Sequence, residues 1–136
     1  MLKFLLRLTS CVYFLVGATH LSLGVGADSL IGADLDAATM TNATLDSQSR
    51  FYGTAFGVSG FLLWTAASKI RSSKTIILCV MLSLFAGGIA RLVSIAFHGL
   101  PAPFVLFLLI TEFLVPICVV VLLNQNKDSV HNFGKP

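Results

Sequence analysis

Four apolar runs, at residues 2–24, 51–68, 75–97 and 103–123, alternate with polar stretches along this chain. Each run holds about 18 to 23 residues, and roughly 17 to 25 residues of helix cross the hydrocarbon layer of a bilayer. Backbone groups in such a run find no water to bond, so helix is the expected conformation. The pattern predicts an all-α integral membrane protein, a four-helix transmembrane bundle running up-down-up-down. Its helices fall at about 4–24, 51–68, 75–97 and 103–124, with an outward acidic loop at 25–50 and a cytoplasmic tail at 125–136. Four crossings in 136 residues leave no room for a second domain. The first run also resembles a secretory signal, with MLKFLLR before it and V-G-A before Asp28. It is long for a signal core, which favours a retained first helix.

Composition agrees with the pattern. The chain is 56% hydrophobic and 11% charged, whereas a soluble domain carries about a quarter charged residues. Charge also alternates between connections. Lys3 and Arg7 begin the chain, Lys69, Arg71 and Lys74 crowd the second connection, and Lys127 and Lys135 follow the fourth run. The first connection holds Asp28, Asp34, Asp36 and Asp46 against Arg50 alone. Basic loops stay inside, so both termini are expected in the cytoplasm, with the acidic connection outside. The net charge of +3 follows from this asymmetry and does not indicate nucleic-acid binding.

A step of 100° per residue gives each helix a small or polar stripe. The first carries Ser10, Tyr13, Gly17, His20 and Gly24. The second carries Arg50, Gly53, Gly57, Gly60 and Trp64, and the third Ser83, Gly87, Arg91, Ser94 and His98. Small residues four apart let helices approach closely in lipid, so Gly17, Gly53, Gly57, Gly60 and Gly87 are expected at helix contacts. The fourth stripe runs through Val105, Leu109, Glu112, Pro116 and Val119. Pro116 cannot donate to the Glu112 carbonyl, which makes that turn polar.

Arg91 and Glu112 lie about 10 and 14 Å below the outer ends of their helices, at 1.5 Å per residue. The short HGLPAP turn joins those helices, so the two charges can meet. A lone charge costs about 2.5–3.5 kcal/mol at mid-helix, which favours pairing. The same depth reasoning gathers His20, Arg50, Tyr52, Arg91, Ser94 and Glu112 into one polar cluster in the outer half of the bundle. That cluster is the candidate binding site, with Arg91 or Arg50 holding an anionic head group and apolar walls holding its tail.

Other chemistry is thinly represented. No nucleophile elbow, phosphate-binding glycine loop, paired carboxylates or cofactor motif appears. A metal set of His20, His98 and Glu112 lacks ligand spacing. An enzyme would rely on His20 as base and Glu112 as acid, acting on a lipid or quinone. Cys11, Cys79 and Cys118 form no C-x-x-C pair and read as small buried hydrophobes. The long first connection contains Leu30, Ile31 and Leu35, which suit a segment folded over the bundle mouth.

S-x-S-R-F-Y-G at 47–53, G-x-x-R-L-V-S at 88–94 and T-E-F at 111–113 resemble the small bacterial membrane proteins of domain-of-unknown-function family 4345. The resemblance covers most of the chain and implies a four-helix inner-membrane protein without an assigned reaction. The function expected is non-enzymatic: binding a lipid or small amphipathic or anionic ligand in an outward pocket and supporting the envelope barrier. Membrane lipids are the expected partners. The glycine faces also suit a homo-oligomer, a partner membrane protein or a transporter complex.

Overall fold

A computed structural model describes residues 1–132, with side chains through residue 125. The described residues form helices and turns only. These are α1 (Leu2–Leu23), a 3-10 segment (Gly24–Ile31), α2 (Ala37–Met40), α3 (Ala43–Ala66), α4 (Lys74–His98) and α5 (Pro103–Asn132). Three stretches are long and apolar enough to cross a membrane: Leu2–Ile31, Lys74–His98 and Pro103–Gln125. The most apolar of them, on α5, is also the least enclosed, with 11% of its most hydrophobic window buried within the protein. Water would reverse that ordering, whereas lipid solvates apolar side chains on the outside. α3 has 24 residues, against 22 in α1 and 25 in α4, but Arg50, Tyr52 and its serines, threonines and glycines lower its apolar content.

Helix boundaries follow local chemistry. α3 starts at Ala43, eight residues before the start predicted from apolarity, because Asn42 caps it by accepting from Thr44 N and Leu45 N at 3.0 and 3.2 Å. A side-chain cap replaces partners that the first turn lacks, whatever the hydrophobicity of that turn. The stretch 25–50, expected as a loop, is therefore mostly helical. Asp36 starts α2 in the same way, accepting from Thr39 N at 2.8 Å. Gly24 ends α1 at φ 57°, a left-handed conformation that favours glycine. At the other end, the expected tail continues α5 to Asn132, and residues 133–136 lie outside the described residues.

Two antiparallel hairpins make the bundle. In the first, α1 and α3 touch along their whole length. Ser10 donates to Gly60 O at 2.6 Å, and Ser49 donates to Gly24 O at 2.8 Å near the opposite end. Between these points the backbones meet at Gly17, where a β-carbon would stand 2.9 Å from Gly53 O and Gly57 N. A β-carbon on Gly53 would meet His20 and Leu21 at 2.9 Å, and one on Gly60 would meet Ser10 O at 3.1 Å. Gly57 and Gly87, expected at contacts as well, have nothing within 4 Å of an added β-carbon. Their Cα–Cβ directions turn toward open space.

In the second hairpin the close contact is Gly88, next to Phe113 and Glu112. The Phe85 and Phe113 rings pack edge to face at 4.9 Å beside it. The hairpins meet at the basic end, where Leu2, Leu6, Leu63, Ile77, Met81 and Val119 form the buried core. Arg7 lies 5.0 Å over the Trp64 ring at that end. At the other end, a β-carbon on Gly32 would stand 2.7 Å from Ala102 Cβ, so the two connections touch there. The three cysteines, read as buried, are exposed on helix surfaces.

Gly17→Ala is expected to lower thermal stability in detergent by about 1–3 kcal/mol, as overpacking does. Gly57→Ala, whose added methyl meets no neighbour, should leave the melting temperature unchanged or raise it slightly.

Candidate functional site

Arg91 and Glu112 meet inside the second hairpin. Arg91 Nε donates to both Glu112 carboxylate oxygens, at 2.8 and 2.9 Å. The Glu112 side chain is 12% exposed and that of Arg91 is 32% exposed. Gly88 brings α4 close enough to α5 for this contact, because it packs against the Glu112 β-carbon. Pro116 lies one turn further along a helix that continues without a break.

Beside the pair, all four long helices line a cleft of about 240 Å³. Tyr52, Ala55, Phe56 and Ser59 of α3 form one wall, and Ser83, Leu84 and Gly87 of α4 form the other. Tyr13 of α1 and Glu112 of α5 complete it. Tyr13 and Glu112 are 6% and 9% exposed, whereas Tyr52, Ala55 and Ser83 are exposed, so the first two are its floor and the gap between α3 and α4 its opening. Tyr13 is held edge-on to Phe56, with ring centroids 5.5 Å apart. The serine hydroxyls donate within their own helices, Ser59 to Ala55 O at 2.9 Å and Ser83 to Val80 O at 3.1 Å. A larger groove of about 480 Å³ lies between Leu78, Met81, Leu82 and Phe85 of α4 and Pro116, Ile117, Val120 and Val121 of α5. It has no polar side chain to orient a ligand, so the smaller cleft is the candidate site.

The six residues expected as one cluster separate into three groups. Tyr52 and Glu112 line the cleft, with Arg91 on Glu112. Arg50 and His20 instead fasten the connecting segment over the first hairpin. Arg50 Nε donates to Asp46 Oδ2 at 2.8 Å, and its Nη1 donates to Leu21 O. Asp46 Oδ1 in turn accepts from Val25 N at 3.4 Å. His20 Nδ1 donates to Val16 O at 2.9 Å, and its Nε2 stands 3.5 Å from Asp28 Oδ1. Ser94 is exposed on α4, outside either arrangement. The division has a simple cause: the Asp residues of the first connection fold back within reach of Arg50 and His20. His20, His98 and Glu112 do not converge, and no group of three metal-binding side chains gathers among the described residues.

Sequence reasoning passed over Tyr13 as a lining residue and Gly88 as the hairpin contact. Tyr13 was visible in the α1 stripe, four residues before Gly17. Gly88 follows Gly87, and one residue turns a helix by about 100°, so the two glycines serve different faces.

The fold defines a class: an all-helical protein with helices long and apolar enough to span a membrane, and a small cleft between its hairpins. The chain belongs to the family described as domain of unknown function (DUF4345), whose profile matches residues 1–123. No curated protein and no solved structure matches it.

Two outcomes follow from these contacts. Hydrogen bonds from Arg50 hold the Asp46 carboxyl below its ordinary value of 3.8, and hydrogen bonds from Thr39 lower Asp36 in the same way. A lowered folded-state pKa means that both carboxylates stabilise the connecting segment above pH 3.8 and lose that contribution as pH falls through the folded-state values. Hydrogen exchange at Val25, corrected for intrinsic rates, should accelerate below that pH and should already be fast at neutral pH in Asp46→Asn. In the second hairpin, Glu112→Gln should destabilise by about 3–5 kcal/mol, since breaking a buried pair leaves a charge uncompensated. The value should fall toward the lower end because Arg91 retains partial exposure. Arg91→Met with Glu112→Leu should recover most of the loss in the same melting assay.

Proposed function

We propose that the protein is a four-helix bundle spanning a bacterial inner membrane, with both ends cytoplasmic. In this reading it holds a lipid or small amphipathic molecule in the cleft between α3 and α4 and so supports the barrier of the cell envelope. Its orientation rests on basic residues near the start of α1 and between α3 and α4, against the acidic first connection. α3 counts as the fourth span because it lies against α1 from Ser49 to Gly60. Its Thr54, Ser59 and Thr65 hydroxyls donate to carbonyls of their own helix, which suits a lipid surrounding.

The cleft itself carries the functional reading. Polar side chains converge on a concave, otherwise apolar space, the usual form of a ligand site. Its opening faces sideways, where an amphipathic molecule already dissolved in the bilayer can enter with its tail remaining in lipid. A lipid- or quinone-modifying reaction through His20 and Glu112 draws less support, because His20 is engaged with Val16 and Asp28 away from the cleft.

Native mass spectrometry of protein extracted in a mild detergent tests the reading. A retained small-molecule mass is expected in the wild type and its loss is expected in Gly87→Leu, which adds bulk to the cleft wall where no neighbour stands within 4 Å. No retained mass, or a mass unchanged by that substitution, contradicts it.

A further inference from the structure

The charge balance and depth of the cleft narrow what it accepts, given the reading of that cleft as a ligand site. Tyr13 lies about 16 Å from the start of α1 and about 15 Å from its end, at 1.5 Å per residue, which sets the cleft floor at mid-span. A phospholipid head group belongs at the membrane surface, well away from that level. Glu112 is the carboxylate of the floor, and Arg91 already neutralises it through two contacts. A charged ligand would therefore add an uncompensated charge at mid-helix, which the insertion scale weighs at roughly a hundredfold against binding.

The hydrogen-bonding groups that remain are of both kinds. Tyr13 is more than nine-tenths buried, faces the cleft, and has no hydrogen-bond partner for its hydroxyl among the described residues. That hydroxyl is a donor awaiting an acceptor. Glu112, Ser59 and Ser83 offer lone pairs, because both serine protons are already given to helix carbonyls. One small group satisfies both sides: a hydroxyl, which accepts from Tyr13 and donates to Glu112.

We infer that the cleft binds an uncharged, hydroxyl-bearing lipid that enters laterally between α3 and α4, with its hydroxyl between Tyr13 and Glu112. Diglyceride-type alcohols and long-chain hydroquinones both present this chemistry. Phosphate- and carboxylate-headed lipids of the same chain length do not.

Three probes test this on the full chain in detergent micelles: dioctanoylglycerol, dioctanoyl phosphatidic acid with the same tails, and decyl hydroquinone. At least one neutral probe should bind, with phosphatidic acid about tenfold weaker or more. Tyr13→Phe, which deletes one hydroxyl, should weaken the neutral probe about fivefold while leaving any residual phosphatidic acid binding unchanged. Gly87→Leu should abolish binding of the neutral probe. The preferred neutral probe distinguishes a glyceride from a ring-bearing source. Phosphatidic acid binding as well as the neutral probes would overturn the inference while leaving a ligand site in place. Equal binding to the wild type, Tyr13→Phe and Gly87→Leu would overturn it as well. Failure of all three probes overturns it too, and an empty native mass spectrum would then remove the underlying reading.

Discussion

A permanent charge among apolar helices has to be answered by another, and the Arg91–Glu112 contact is where this chain does so. The two residues lie on helices joined by a four-residue turn, so their meeting costs little chain entropy. Nε of Arg91 reaches both carboxylate oxygens, which fixes the rotation of α4 and α5 about their axes. Gly88 makes the approach feasible, and Phe113 packs into the space it leaves. The pair therefore sets the geometry of the second hairpin. Through Glu112, it also brings a neutralised carboxylate to the floor of the cleft.

The cleft is a consequence of how two hairpins meet. α1 and α3 interlock through Gly17, Gly53 and Gly60, close enough for backbone contact. α4 and α5 interlock through Gly88. Between hairpins, large apolar side chains fill the basic end, and the touching connections at Gly32 and Ala102 close the other. In the middle, small residues interrupt both walls: Ala55 and Ser59 between the larger Tyr52 and Phe56 side chains on α3, and Ser83 and Gly87 on either side of Leu84 on α4. At those small positions no side chain reaches across, and the space stays open above Tyr13 and Glu112.

Some of this was legible in the residues. Apolar runs separated by polar stretches located the long helices, because a span's length is set by the bilayer rather than by tertiary detail. The Arg91–Glu112 contact was legible because two charges in adjacent apolar helices have few other partners. Other features depend on side chains whose partners are distant in sequence. Asn42 begins α3 two turns before any apolar signal, through a cap that hydropathy does not register. Arg50 and His20 shared a depth with the pair, yet Asp46 and Asp28 hold them at the connecting segment, and depth alone does not separate the two groups. The difference between Gly87 and Gly88 is one of helix rotation, which stripes of small residues fix only to within a neighbouring position.

The most direct measurement is solid-state NMR in lipid bilayers, with Arg91 labelled at its guanidinium nitrogens and Glu112 at its carboxylate carbon. The account predicts a strong dipolar coupling between Nε and the carboxylate, matching oxygen contacts of 2.8 and 2.9 Å. Absence of that coupling, with both side chains in contact with lipid acyl chains, would contradict it.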